Sequence, residues 1–129
     1  LKVSPNVHCM RDATRGGLGA ILAEIVKSAK VRIDIDERNI PVRDNVRGVC
    51  EILGFDPLFL ANEGKMILFC AESDVNTTLD VMRKHKYGHK AAVIGKVSQS
   101  SRGRVVLKTS IGGERIIDLP TGELVPRIC

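Results

Sequence analysis

Tryptophan is absent from this sequence, tyrosine occurs once and phenylalanine three times. So few flat rings leave little for nucleic-acid bases to stack on, which argues against a nucleic-acid partner. No apolar run approaches the roughly 18 residues that a transmembrane helix needs, so no membrane partner is expected either. The four cysteines, Cys9, Cys50, Cys70 and Cys129, lack CxxC spacing. Neither His8 beside Cys9 nor the His85/His89 pair completes a tetrahedral set, so no metal-ligating residue is expected. An initiator Met is missing too, as is any charged-then-apolar leader. Leu1-Lys2-Val3-Ser4-Pro5 therefore reads as the interior of a longer protein.

What is present is the composition of one globular domain. The chain has 129 residues, 43% of them apolar and 27% charged, which excludes disorder. A chain of that length buries roughly two-thirds of its unfolded surface, enough for one core. Twenty Lys and Arg against fifteen Asp and Glu leave a net charge of +5. Cys70 lies in the run Met66-Ile67-Leu68-Phe69-Cys70 and Cys50 follows Val49, so both read as small buried hydrophobes. Reduced thiols and a cytoplasmic location follow as expectations. Cys129 differs, being the last residue.

Periodicity organises the rest. Residues 1–13 read as an irregular lead-in, a linker from a domain outside this sequence. Leu18, Ile21, Leu22, Ile25, Val26 and Ala29 make an apolar helical stripe from Thr14 onward, capped by Thr14 or Asp12. Val31 to Asp36 alternates apolar and charged, as a half-exposed strand does. A second helix is predicted from Arg43 to Leu53, ended by Gly54, with Val46, Val49, Cys50 and Leu53 inward. Asp56-Pro57 opens a short helical turn. Met66 to Ala71 suits a central strand covered on both faces. Ser73 to His85 predicts a third helix, with Val75, Leu79 and Met82 inward. Three β-type segments follow, at 92–97, 104–109 and 115–119, the last two a hairpin through Gly112-Gly113. The expected fold is a layered α/β sandwich over 14–119, its mixed sheet flanked by helices, with a flexible C-terminal tail over 120–129.

Four segments carry groups with chemistry in them. Met10-Arg11-Asp12-Ala13-Thr14-Arg15-Gly16-Gly17 places two glycines at a helix start, where unpaired N–H groups and the helix dipole favour an anion. Asp12, Thr14, Arg15, Gly16 and Gly17 are thus a candidate phosphate-binding set, with Asp12 able to hold a metal ion on the phosphate. The spacing is not that of a P-loop, and glycines that merely allow close packing are the plainer reading. Asn62-Glu63-Gly64-Lys65 places a carboxylate at the mouth of a strand, where it can serve as a base, or else as a solvated turn residue. Pro126-Arg127-Ile128-Cys129 ends the chain in a thiol on a tail that can span on the order of 30 Å, a carrier arm or a frayed terminus. Arg83 to Lys90 is a basic run that complements a helix C-terminus.

Together these segments resemble the C-terminal domain of the HypE family of [NiFe]-hydrogenase maturation proteins, which is related to aminoimidazole ribonucleotide (AIR) synthetase. The segments from Met10 to Gly17, from Ala61 to Lys65 and from Pro126 to Cys129 carry the resemblance, which spans nearly the whole chain. The Pro-Arg-Ile-Cys terminus is its discriminating piece. Ala13 stands where the family pattern more often has Pro.

The resemblance implies a carbamoyl dehydratase. The terminal thiolate, here Cys129, would accept a carbamoyl group from the carbamoyltransferase HypF. ATP with Mg2+ would then activate the carboxamide oxygen, and loss of phosphate would leave an S-cyanide, passed to iron on a HypC–HypD complex. Glu63 is the implied base, since dehydration must remove protons from nitrogen. The family's N-terminal domain supplies most of the ATP pocket and much of a homodimer interface. Two other readings are a different AIR synthetase-related enzyme acting on a small phosphorylated substrate, and a non-catalytic docking module that binds through its basic helix end.

Overall fold

The computed structural model describes residues 6–119; the expected tail at 120–129, with Cys129, lies outside the described residues. The alternation of Val31 to Asp36 produces β2 (Val31–Asp36), whose Ile33 and Ile35 are buried. β4 (Gly95–Gln99) pairs antiparallel with one edge of β2, and β5 (Arg104–Lys108) pairs parallel with the other. β6 (Glu114–Ile117) returns antiparallel to β5, as the Gly112-Gly113 turn predicts, giving a mixed sheet in the order β4-β2-β5-β6.

Registry decides which side of this sheet is core. Ile33 stands opposite Val105 and Ile35 opposite Leu107, while Val105 in turn faces Ile117. α1 (Gly17–Ala29) lies across that face and contributes Leu22 and Val26 to the same cluster, with Leu58 from a 3-10 turn at Pro57–Phe59. Burying each such side chain contributes about 1.5–3 kcal/mol. The α/β fold with a mixed sheet and three helices is the one expected.

Several local expectations are corrected. Residues 7–12 are not irregular: they form β1 (Val7–Asp12), antiparallel to β3 (Met66–Cys70). A break in register between Val7 and Cys9 spoils the alternation that would have revealed the strand. β3 is accordingly not a central strand but half of a two-stranded ribbon. Its residues, Cys70 included, are at most half-buried, and Met66 is exposed.

α1 starts at Gly17 and not at Thr14, because Gly16 takes a left-handed conformation at the cap and neither Thr14 nor Asp12 caps the helix. α2 (Asp44–Leu53) ends at Gly54 as predicted, but of its four expected inward residues only Cys50 is buried. Val46, Val49 and Leu53 are exposed, because among the described residues α2 packs chiefly against the 57–59 turn. α3 (Val75–Lys84) buries Thr78, while Val75, Leu79 and Met82 are half-buried.

Candidate active site

The β1–β3 ribbon brings the two motifs together. Asp12 pairs with Met66 at its end, and the contact continues past the strands. The Ala13 N–H donates to the Lys65 carbonyl over 3.0 Å, and the Asn62 N–H donates to the Ala13 carbonyl over 3.0 Å. Ala13, itself buried, is thus held on both backbone groups by the 62–65 turn. Gly64 has φ +72°, a conformation open to glycine, so the turn reverses tightly and Glu63 stands exposed upon it. Asn62 also donates through Nδ2 to the Leu60 carbonyl over 3.3 Å. Asn62, directly before Glu63 in the sequence, is thereby tied down through both its backbone and its side chain.

On the other side of the junction, the Thr14 hydroxyl donates to the Asp12 carboxylate over 2.8 Å. Arg11 reaches Glu24 of α1 at 3.3 Å, which leaves Arg15 as the exposed cation beside the helix start. No side chain caps α1, so its first-turn N–H groups keep their capacity for an anion. The glycines answer to packing as well. A Cβ on Gly17 would stand 2.5 Å from the Leu58 carbonyl oxygen and 2.6 Å from that of Leu60, and one on Gly19 would meet the Phe59 ring at 2.7 Å. Gly16 and Gly17 are buried, whereas Asp12 and Arg15 are exposed.

The arrangement gathers the two motifs along one edge of the fold. Among the described residues a hollow of about 460 Å³ lies beside Lys30 and Ser100 and one of about 20 Å³ beside Glu37 and Arg47, and neither includes the motif residues. Among the described residues no group of three or more His, Cys, Asp or Glu converges as a metal site. Asp12 is the metal-capable carboxylate of the set, and it would share the ion with a bound phosphate. Among the described residues no helix is long and apolar enough to cross a membrane.

Comparison with known proteins agrees with this fold. Residues 1–108 match the family described as AIR synthase related protein, C-terminal domain. Carbamoyl dehydratase HypE of Azotobacter vinelandii is 45% identical over all of this chain, which covers 38% of that protein. Among solved structures, hydrogenase maturation protein HypE in complex with ATP is 40% identical with a TM-score of 0.89, covering 96% of this chain and 38% of its own. The HypE–HypF complex matches with a TM-score of 0.83 at 38% identity, covering 89% of this chain and 37% of that one. The chain therefore spans under two-fifths of the length of the curated relatives it matches. With a family model matched over most of its residues, and with the Gly-rich segment and the Asn-Glu-Gly-Lys turn joined at one edge, this chain belongs to the AIR synthase related proteins as a C-terminal domain similar to that of HypE.

Proposed function

We propose that this chain is the C-terminal part of an ATP-dependent carbamoyl dehydratase that makes the cyanide ligand of a [NiFe] hydrogenase. The observation that supports the reading is the double backbone bond of Ala13 to the 62–65 turn, which joins the turn that carries Glu63 to the segment that carries Asp12, Thr14 and Arg15. A base and a phosphate-binding edge are the two things such a dehydration needs next to one another.

The chemistry runs in three steps. The Cys129 thiolate attacks the carbonyl carbon of an activated carbamoyl donor supplied by a HypF-type partner. The bond to the donor's activating phosphate-type group breaks, that group leaves with the electron pair, and the cysteine becomes an S-carboxamide. Phosphoryl transfer from ATP to the carboxamide oxygen, with loss of one N–H proton, turns that oxygen into a leaving group. Removal of the second N–H proton and departure of phosphate leave S–C≡N, so the balance is one ATP to ADP and phosphate. Glu63 takes those protons and, being exposed, returns them to solvent. Arg15 and the uncapped start of α1 would hold the phosphates, and Asp12, hydrogen-bonded by Thr14, would hold a Mg2+ that neutralises their charge. Residues 120–129 act as the carrier arm for Cys129, attached to a domain that takes in β1 as well as the 14–119 expected from the sequence.

The rest of the ATP pocket, a homodimer contact and delivery to iron on a HypC–HypD scaffold belong to the full-length protein. Mass spectrometry of the C-terminal peptide tests the reading. With full-length protein, ATP, carbamoyl phosphate and the HypF-type partner, Cys129 gains a carbamoyl mass and then loses one water. A Cys129 that stays unmodified while the partner turns over refutes it.

A further inference from the structure

Eight residues at the end of α3 hold most of the chain's net charge. Arg83, Lys84, Lys86 and Lys90 lie within residues 83–90 with no Asp or Glu among them, which leaves +1 of the total +5 for the other 121 residues. The helix dipole accounts for Arg83 and Lys84, which sit in the last turn of α3. It does not account for Lys86 and Lys90, which lie beyond the helix end, where the dipole's field has faded. Among the described residues none of the four cations forms a salt bridge.

This segment is built, not frayed. Successive backbone bonds run from His85 N–H to the Met82 carbonyl at 3.1 Å, from Gly88 to His85 at 2.8 Å and from Ala91 to Gly88 at 2.9 Å. Arg83 Nε ties the loop back to the Ala91 carbonyl at 2.9 Å. A Cβ at Gly88 would overlap the Met82 carbonyl, so only glycine lets the chain fold back this closely. On top of the knob Tyr87 is 81% exposed, with the His85 ring centroid 5.6 Å away and Lys86 Nζ 4.7 Å from its own centroid.

We propose that residues 83–90 are a docking surface for an acidic segment of a partner protein. Charge complementarity selects the occupant: four cations within eight residues, none in a salt bridge among the described residues, attract a cluster of carboxylates. Internal hydrogen bonding lowers the ordering cost of association, and Tyr and Arg are residue types enriched at interface hot spots. A nucleic acid fits less well, because it would require a broader basic face and more than this one aromatic platform.

The test uses a fluorescein-labelled peptide rich in Glu and Asp with one Leu, beside a labelled oligouridine of equal charge. Anisotropy titrations at low and moderate salt compare the wild-type chain with Lys86→Glu/Lys90→Glu and with Tyr87→Ala. The peptide binds more tightly than the oligouridine, weakens with salt, and loses about tenfold or more in affinity in the double reversal. Tyr87→Ala loses roughly fivefold, on the scale of a modest hot spot. No peptide binding, unchanged affinity in both variants, or tighter binding of the oligouridine overturns the proposal. None of these residues belongs to the dehydration site, so that activity is scored separately.

Discussion

Gly17 lies so close beneath Leu58 that a Cβ placed on it would stand 2.5 Å from the Leu58 carbonyl oxygen. Its φ of +67° is one that a side chain strains as well. Gly17→Ala is therefore expected to destabilise the fold by about 2–4 kcal/mol, from overlap with fixed backbone and the left-handed conformation together. Gly48→Ala in α2, where an added Cβ meets nothing within 4 Å, is the control and should be neutral or slightly stabilising. Urea unfolding of the two variants checks this, and a Gly17→Ala protein as stable as wild type would show that the 58–60 turn yields.

Glu63→Gln separates loading from dehydration. The amide keeps the size of the carboxylate on an exposed turn, so stability should change by less than about 0.5 kcal/mol. Carbamoylation of Cys129 continues, while conversion to the S-cyanide slows by about 10²–10⁴, the usual contribution of a general base. Mass spectrometry of the carbamoylated peptide over time reads both steps, and dehydration at the wild-type rate removes Glu63 from the reaction.

Thr14 acts through Asp12. Its hydroxyl holds the Asp12 carboxylate at 2.8 Å, and a hydrogen bond to a charged group contributes about 1.5–3 kcal/mol. Thr14→Val in the full-length protein is expected to raise KM for ATP about tenfold or more with little change in kcat, and Thr14→Ser to restore it. A Thr14→Val enzyme with an unaltered KM would show that the Asp12 orientation is immaterial.

Lys96 and Glu72 form a charged hydrogen bond of 2.7 Å. That bond, more than the charge attraction behind it, holds Glu72 below its ordinary value of 4.5 and Lys96 above its ordinary 10.5. A lowered carboxylate stabilises the fold above its ordinary value, and the contribution is lost as pH falls through the depressed one. For Lys96 the contribution is present below 10.5 and lost as pH rises through the raised value. Both side chains are more than three-quarters exposed, so the effect is small and screened by salt. Lys96→Gln should move the Glu72 titration upward by carboxyl NMR, with hardly any change in acid unfolding; an unmoved titration would mean the pair does not persist in solution.

Wherever one face of a segment alone met the core, local pattern was sufficient. β2 was legible to the residue, since Ile33 and Ile35 alternate with Arg32 and Asp34, and the end of α2 was legible because Gly54 takes the left-handed cap. The Asp56 cap of the 57–59 turn was legible for the same kind of reason: the side chain bonds the Leu58 N–H a few residues on. The chemistry-bearing segments were legible as residue types too, a Gly-rich helix start and a Glu on a Gly turn. Tertiary structure decided what those residues adjoin. Partners in β1 and β3 are 54–63 positions apart and carry no mark of each other, so only their pairing joins Ala13 to Asn62 and Lys65. It also decided that the apolar run at Met66 lies in a half-exposed ribbon and that Val46, Val49 and Leu53 of α2 face outward. Hydrophobicity states that a side chain gains by burial, but which surface reaches it depends on packing between segments distant in sequence.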